Sequence, residues 1–423
     1  MRKFFAFSLV SLMVFSACSG KVQPVYEMHQ LNEPQKIFNS STKVLNQDYV
    51  SSVISFANNF YQVINDGENK VFSPLSIATC FSMLYEGAKQ SSKEELATLL
   101  GYDEYINHQE AIKNMLLNNA IKTTKPEVVL DIAQSFWVDE MFNNELNQDF
   151  VNILTEYYFA EAFQGLLQSD KMHEALAQYI NDKTNNFFDL TGEDFKDFGG
   201  ILWLLNTLYL KAVWADQFPA RSNFESSFTN LDKSENNVTF MTNIIDGNYY
   251  AGQDYLISSY ALEGGLKFNI LLPNSDSDYQ AVLADVDNVY NLLDFPKNSF
   301  SKTNAYITYK IPKFKMTNNY DLKEQFADLG VSKIFDPDES DLSDIFTSAE
   351  LKKLYVEKAI HQAGIDVNNE GIEAAAYTII QITPTSVPQP ENLLDFVVDR
   401  PFAYTVSDNN GLPLFMGLVT NLG

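Results

Sequence analysis

The chain has only two cysteines in 423 residues, Cys18 and Cys80. That excludes a disulfide framework and a cysteine-rich metal site. Histidines number four, His29, His108, His173 and His361, and no Gly-x-Ser-x-Gly elbow accompanies any of them. His173-Glu174 lacks the second histidine of a zinc-protease helix. No phosphate-cradling glycine motif occurs. The acidic stretch Asp336-Pro337-Asp338-Glu339-Ser340-Asp341 lacks the glycine and closing glutamate of a calcium loop, so it reads as a solvated turn. An enzyme is not expected, nor a cofactor or a bound metal. Positive charge is scarce as well: 29 Lys and Arg stand against 55 Asp and Glu, a net −26, with no basic run. Nucleic acids and heparin-like polyanions need clustered cations, so neither is an expected partner.

What the chain does have is apolar mass. Hydrophobic residues make up 45% of it, ample for a large core. At the N-terminus, Arg2-Lys3 precede the apolar run Phe4 to Phe15, which is too short to span a bilayer. Phe15-Ser16-Ala17-Cys18 resembles a bacterial lipobox, with Phe where Leu is usual. The resemblance implies that residues 1–17 are a lipoprotein signal peptide. Cys18 then becomes the lipidated first residue. The expected location is the bacterial envelope (outer membrane, periplasmic or surface-exposed face) or outside the cell, with membrane contact through the lipid alone. Residues 18–45 are polar and read as a tether, and 46–423 as one folded body.

Within the body, apolar residues at helical spacing predict a helix over about Asp48 to Asn65. Ser73 and Pro74 suit the start of a second helix and Gly87 its end. Cys80 lies inside that helix as a core thiol rather than a nucleophile. A third helix is expected over Ser92 to Leu100. Strands are expected at 128–135, 202–210, 266–272, 305–311, 354–361, 396–398, 402–406 and 413–418.

The most telling stretch is Glu370-Gly371-Ile372-Glu373-Ala374-Ala375-Ala376-Tyr377-Thr378. Glycine reaches backbone angles that other residues avoid, so Gly371 can hinge. In extended form, Ile372, Ala374, Ala376, Thr378 and Ile380 share one face, apolar or small enough to slide under a covering layer. A short alanine-rich helix is the plainer alternative.

This stretch resembles the reactive-loop hinge of the serpin family of protease inhibitors. Other landmarks follow in the family's order over residues 48–423. Val71-Phe72-Ser73-Pro74-Leu75-Ser76 resembles the start of its second helix. Leu205 to Trp214 is similar to its long central strand, and Ile311-Pro312-Lys313-Phe314 to its Pro-Lys-Phe strand. The segments around Tyr320-Asp321-Leu322, Leu329-Gly330 and Asp341-Leu342-Ser343 continue the match. The resemblance implies an α+β serpin fold with three β-sheets, about eight to nine helices and an exposed reactive-centre loop at about 370–400.

It implies function too. A serine or cysteine protease attacks the loop, and the cleaved loop inserts into the central sheet before the acyl-enzyme can be released. About a dozen ladder hydrogen bonds at ~0.5–1.5 kcal/mol each supply on the order of 10 kcal/mol. Ser73, Ser76, Asn206 and His361 would form the polar shutter that governs sheet opening. Trp214 and Lys313 would mark the breach where the strands part. The attacked bond would join Thr385 to Ser386, fourteen residues beyond Gly371. Between Gly371 and Asp399 there is no Lys or Arg, which disfavours trypsin-like and favours elastase-like proteases. The covalent protease complex is the expected partner state of an otherwise monomeric protein. Ile372 stands where Thr or Ser is usual, which would cost ~1–3 kcal/mol in a tight pocket. Asn369 stands where a Glu often pairs with the lysine at Lys313, so that latch is absent or moved to Glu370. Alternatives are a non-inhibitory serpin-fold binding or chaperone-like protein and a purely structural surface lipoprotein.

Overall fold

The computed structural model describes residues 29–32, 34, 45–102, 106–124, 127–297, 302–348, 351, 354–372 and 392–423. After β1 (His29–Gln30) come α1 (Gln47–Ile64), β2 (Lys70–Phe72), α2 (Pro74–Gly87), α3 (Gln90–Leu100) and α4 (His108–Asn118). Next are β3 (Ile121–Thr124), β4 (Glu127–Asp139), α5 (Gln148–Tyr157), β5 (Glu161–Gly165), α6 (Asp170–Lys183) and β6 (Leu202–Val213). A β-rich run follows: β7 (Phe224–Thr229), β8 (Glu235–Ala251), β9 (Tyr255–Leu262) and β10 (Leu266–Pro273). The chain continues through α7 (Tyr279–Ala284), α8 (Val286–Asp294), β11 (Thr303–Pro312), β12 (Phe314–Asp321) and α9 (Leu322–Asp328). It ends with β13 (Ile360–Asn368), β14 (Gly371–Ile372), β15 (Leu393–Val397), β16 (Phe402–Ser407) and β17 (Pro413–Val419).

Local chemistry accounts for the helix starts. Asn46 caps α1 by accepting the Asp48 and Tyr49 N–H groups at 2.8 and 3.2 Å. Ser73 caps α2, accepting the Ser76 N–H at 3.1 Å, with Pro74 in the first turn. Helix α2 is buried along nearly its whole length because β6 covers it on one side and β17 on another. Glycine does not stop α3 by chance: Gly101 takes the left-handed conformation at its end.

Two hydrogen-bonded sheets result. In the first the strand order is β1-β5-β4-β6-β14-β13-β12, with β3 as a hairpin on β4. In the second it is β15-β11-β8-β9-β10-β16-β17-β2, with β7 on β8. The three sheets expected from the resemblance are two here because β8 serves both halves of the second. Its long run pairs with β11 and then, at Tyr249 to Ala251, with β9. Nine α-helices are present among the described residues.

Two other expectations change. The strand anticipated at 354–361 begins only at Ile360; before it, Val356 N–H bonds to the Ile334 carbonyl in a 3-10 turn, and the Ala359 carbonyl accepts the Leu322 N–H at the start of α9. The polar segment expected as a free tether is partly docked. His29 and Gln30 pair antiparallel with Gln164 and Phe163 of β5. Asn32 fixes the junction: its Nδ2 donates to Thr155 Oγ1 at 2.8 Å, and its Oδ1 accepts the Ala162 N–H at 2.8 Å.

Candidate functional site

Strand β14 lies between β6 and β13 and closes a tight turn from β13. Gly371 sits opposite Val213 on one side and Asn368 on the other; Ile372 sits opposite Ala212 and Val367. Glycine is required at 371 by geometry. Its φ is +154°, and a β-carbon built there would run into the Ala212 carbonyl oxygen. Ile372 is 3% exposed and joins the core between Ala212 and Val367. The bulky side chain at the first inserting position is thus already accommodated in the uncleaved sheet.

The turn is held by side chains. Trp214 is fully buried, its indole N–H donating to the Asn368 carbonyl at 2.7 Å and its backbone N–H to the Glu370 carbonyl at 3.1 Å. Asn369 and Asn223 form a reciprocal amide pair: Asn369 Nδ2 to Asn223 Oδ1 is 2.7 Å, and Asn223 Nδ2 to Asn369 Oδ1 is 2.9 Å. Asn369 Nδ2 also reaches the Phe218 carbonyl at 3.1 Å. So the latch is neither absent nor moved to Glu370; Asn369 makes it with a neutral partner. Lys313 has no ion pair among the described residues, and its backbone N–H bonds to the Thr239 carbonyl at 2.9 Å. Asn223 could have been found in the sequence only by pairing across 146 positions.

Beyond β14, β6 and β13 share no ladder among the described residues. A cavity of about 560 Å³ separates them, with α2 below and the chain after α6 above. Ser73, Ser76, Asn206 and His361 all line it. His361 Nε2 accepts the Ser73 N–H at 3.0 Å, and Ser73 Oγ donates to the Leu414 carbonyl at 2.7 Å. Burial lowers the His361 pKa to about 3, which keeps the ring neutral and an acceptor. The hydrogen bonds join Ser73, Ser76 and His361 but leave out Asn206. Among the described residues its buried side-chain amide has no hydrogen-bond partner, and neither has that of Gln134, directly across the ladder on β4. Gln134, missed in the sequence, extends a polar row that His361 and Tyr320 continue on the far side of the cavity, their rings stacked at 6.1 Å. Cys80, partly buried, also lines the cavity; burial pushes its thiol up to about 12. Glu373, Ala374, Ala375, Ala376, Tyr377, Thr378, Thr385, Ser386 and Cys18 lie outside the described residues.

A family model described as Serpin (serine protease inhibitor) matches residues 51–422. Neuroserpin of Mus musculus is 29% identical over 370 residues, spanning 84% of this chain and 87% of its own. Serpin-Z2B of Triticum aestivum is 30% identical over 376 residues, spanning 84% and 90%. The thermophilic serpin tengpin in its native state matches in fold with a TM-score of 0.78 at 23% identity, covering 93% of this chain and all of that one. A sheet parted beside a short inserted hinge strand and a family match across almost all of the folded body agree: the chain belongs to the serpin family.

Proposed function

We propose that this protein is a suicide-substrate inhibitor of serine or cysteine proteases, which traps the acyl-enzyme by inserting its cleaved loop between β6 and β13. One observation carries the reading. The loop's first two residues, Gly371 and Ile372, are already paired between those strands, above a cavity that continues their path.

Continuing the ladder one residue at a time gives the inserted register. Six residues beyond Ile372, Thr378 falls opposite Asn206, six before Ala212, and opposite His361, six before Val367. It lies on the same face as both. Its hydroxyl would enter the polar row that runs from Gln134 and Asn206 to His361 and Tyr320. An unpaired buried amide costs ~1–3 kcal/mol. Insertion would bring a protein partner to the Asn206 amide, which has none among the described residues of the uncleaved sheet.

The reactive bond in this reading is Thr385–Ser386, and an elastase-like protease is the favoured target. Lipid on Cys18 holds the inhibitor at the bacterial envelope. Incubation with a panel of proteases, followed by intact mass of the released C-terminal peptide, tests the assignment. A covalent complex with elastase and a peptide beginning at Ser386 are expected. A trypsin complex, or cleavage of the loop with no covalent complex by any protease, would overturn it.

A further inference from the structure

The first sheet has two poles. At one, Val213 and Ala212 pair with the hinge strand; at the other, β6 begins at Leu202 opposite Val138 of β4. Strand β5 pairs with β4 from Ser135 to Asp139, so it lies at the pole away from the hinge. Strand β1 pairs with β5 antiparallel, His29 opposite Gln164 and Gln30 opposite Phe163. Its N-terminal end therefore points toward Gly165, at the pole away from the hinge.

Length makes this direction decisive. Eleven residue steps separate Cys18 from His29 and reach at most ~40 Å. The sheet is comparably long, since the eleven steps of β6 span ~36 Å. Without the docked strand the tether would run to Leu45 and reach roughly 90 Å, enough to place either pole near the anchor. The docked strand cuts that reach by more than half, so bringing the hinge pole to the membrane would need the tether almost fully extended.

The same pole carries two of the most exposed large apolar side chains among the described residues. Met141 is 73% exposed and Leu166 is 51% exposed. They lie on adjacent turns joined by the bond from Glu140 N–H to the Gly165 carbonyl, 3.0 Å. Asp139, itself buried, braces both turns. One carboxylate oxygen accepts the Met141 N–H at 3.1 Å and the other the Leu167 N–H at 3.1 Å. Single exposed apolar residues are commonplace. Two exposed on adjacent braced turns, at the pole toward which the N-terminal end of β1 points, are placed to meet a lipid surface.

We propose that the pole bearing β5, Met141 and Leu166 faces the bilayer, with those two side chains in its interface, and that the reactive loop projects away into solution. This rests on the reading of Cys18 as the lipidated residue. The target protease would then approach from the solution side and not along the membrane.

Energy transfer to a lipid-borne acceptor in phosphatidylcholine vesicles tests the orientation. A donor is attached to Gln168→Cys, at the β5 pole, or to Ala220→Cys, near the hinge. Lipidated Cys18 has no free thiol, and Cys80, partly buried on the cavity wall, is replaced by serine in every labelled variant, so labelling is confined to the new cysteine. Strong transfer from position 168 and weak transfer from 220 are expected. Met141→Ser with Leu166→Ser should reduce the difference, and Leu31→Pro, which removes the N–H bonded to the Ala162 carbonyl, should abolish it. A second arm replaces residues 1–18 with a histidine tag held on nickel-chelating lipid. If the native chain does not partition into vesicles but the tagged chain keeps the asymmetry, the lipid anchor fails and the orientation stands. Equal or reversed transfer in the tagged chain overturns the orientation.

Discussion

Replacing Ala375 by arginine should turn the inhibitor into a substrate. In the inserted register, position 375 falls three residues past Ile372, opposite Tyr209 on β6 and Gly364 on β13. That face is roofed by the segment after α6. Asn185 Nδ2 bonds the Tyr209 hydroxyl at 3.2 Å, and a β-carbon built on Gly364 would collide with the Phe187 ring. An alanine methyl fits there; a guanidinium needs a partner and room, and finds an aromatic ring and a closed strand edge. Burying an unpaired charge costs several kcal/mol even after relaxation. Taking only ~3 kcal/mol at the rate-limiting stage, insertion slows more than ~100-fold. Deacylation then wins. On a denaturing gel with the target protease, the variant should give cleaved inhibitor and no covalent complex, while the uncleaved variant melts as the parent does. Undiminished complex would refute insertion beside Gly364 as the trapping step.

Thr378→Val keeps the shape of the side chain and removes its hydroxyl. It should leave the uncleaved protein unchanged and lower the stability of the cleaved form by ~1–3 kcal/mol in denaturant unfolding, because Asn206 stays unpaired; an equal effect on both forms would count against the register. His361 binds a proton only near pH 3 when folded, but near ~6.5 when unfolded. The unfolded chain therefore takes up more protons between those values, and stability falls as pH drops through that window. His361→Gln, which keeps an acceptor for the Ser73 N–H, should flatten that part of the stability profile; an unchanged acid slope would show that another group is responsible. Mass spectrometry of the native N-terminus should find a diacylated or triacylated Cys18, and a chain beginning beyond Cys18 would reject the anchor.

Much of this was legible in the sequence because the features are local. Ser73, Pro74 and Gly87 bound α2 as capping chemistry predicts, and Gly371, read as a hinge, takes the positive φ that glycine permits. The rest depends on partners distant in the chain. Leu354 to Ala359 have strand-like composition, yet Val356 bonds to Ile334 in a 3-10 turn and Ala359 to Leu322 at the start of α9. Asn369 looked like a lost charge pair until Asn223 supplied an amide of matching geometry. The fusion of two expected sheets through β8 reflects its pairing with β11 along most of its length and with β9 at Tyr249 to Ala251, which its alternation pattern does not encode. Nor does a polar N-terminal segment announce that Asn32 will satisfy the open edge of β5.

The central claim is that loop cleavage adds a strand to the first sheet. Cleaving the loop with any protease and then following thermal unfolding tests this most directly. Ladder bonds on the order of 10 kcal/mol, at roughly 1–2 °C per kcal/mol for a body of this size, predict a melting transition raised by about 10–20 °C. A cleaved protein that melts at or below the temperature of the intact one would contradict it.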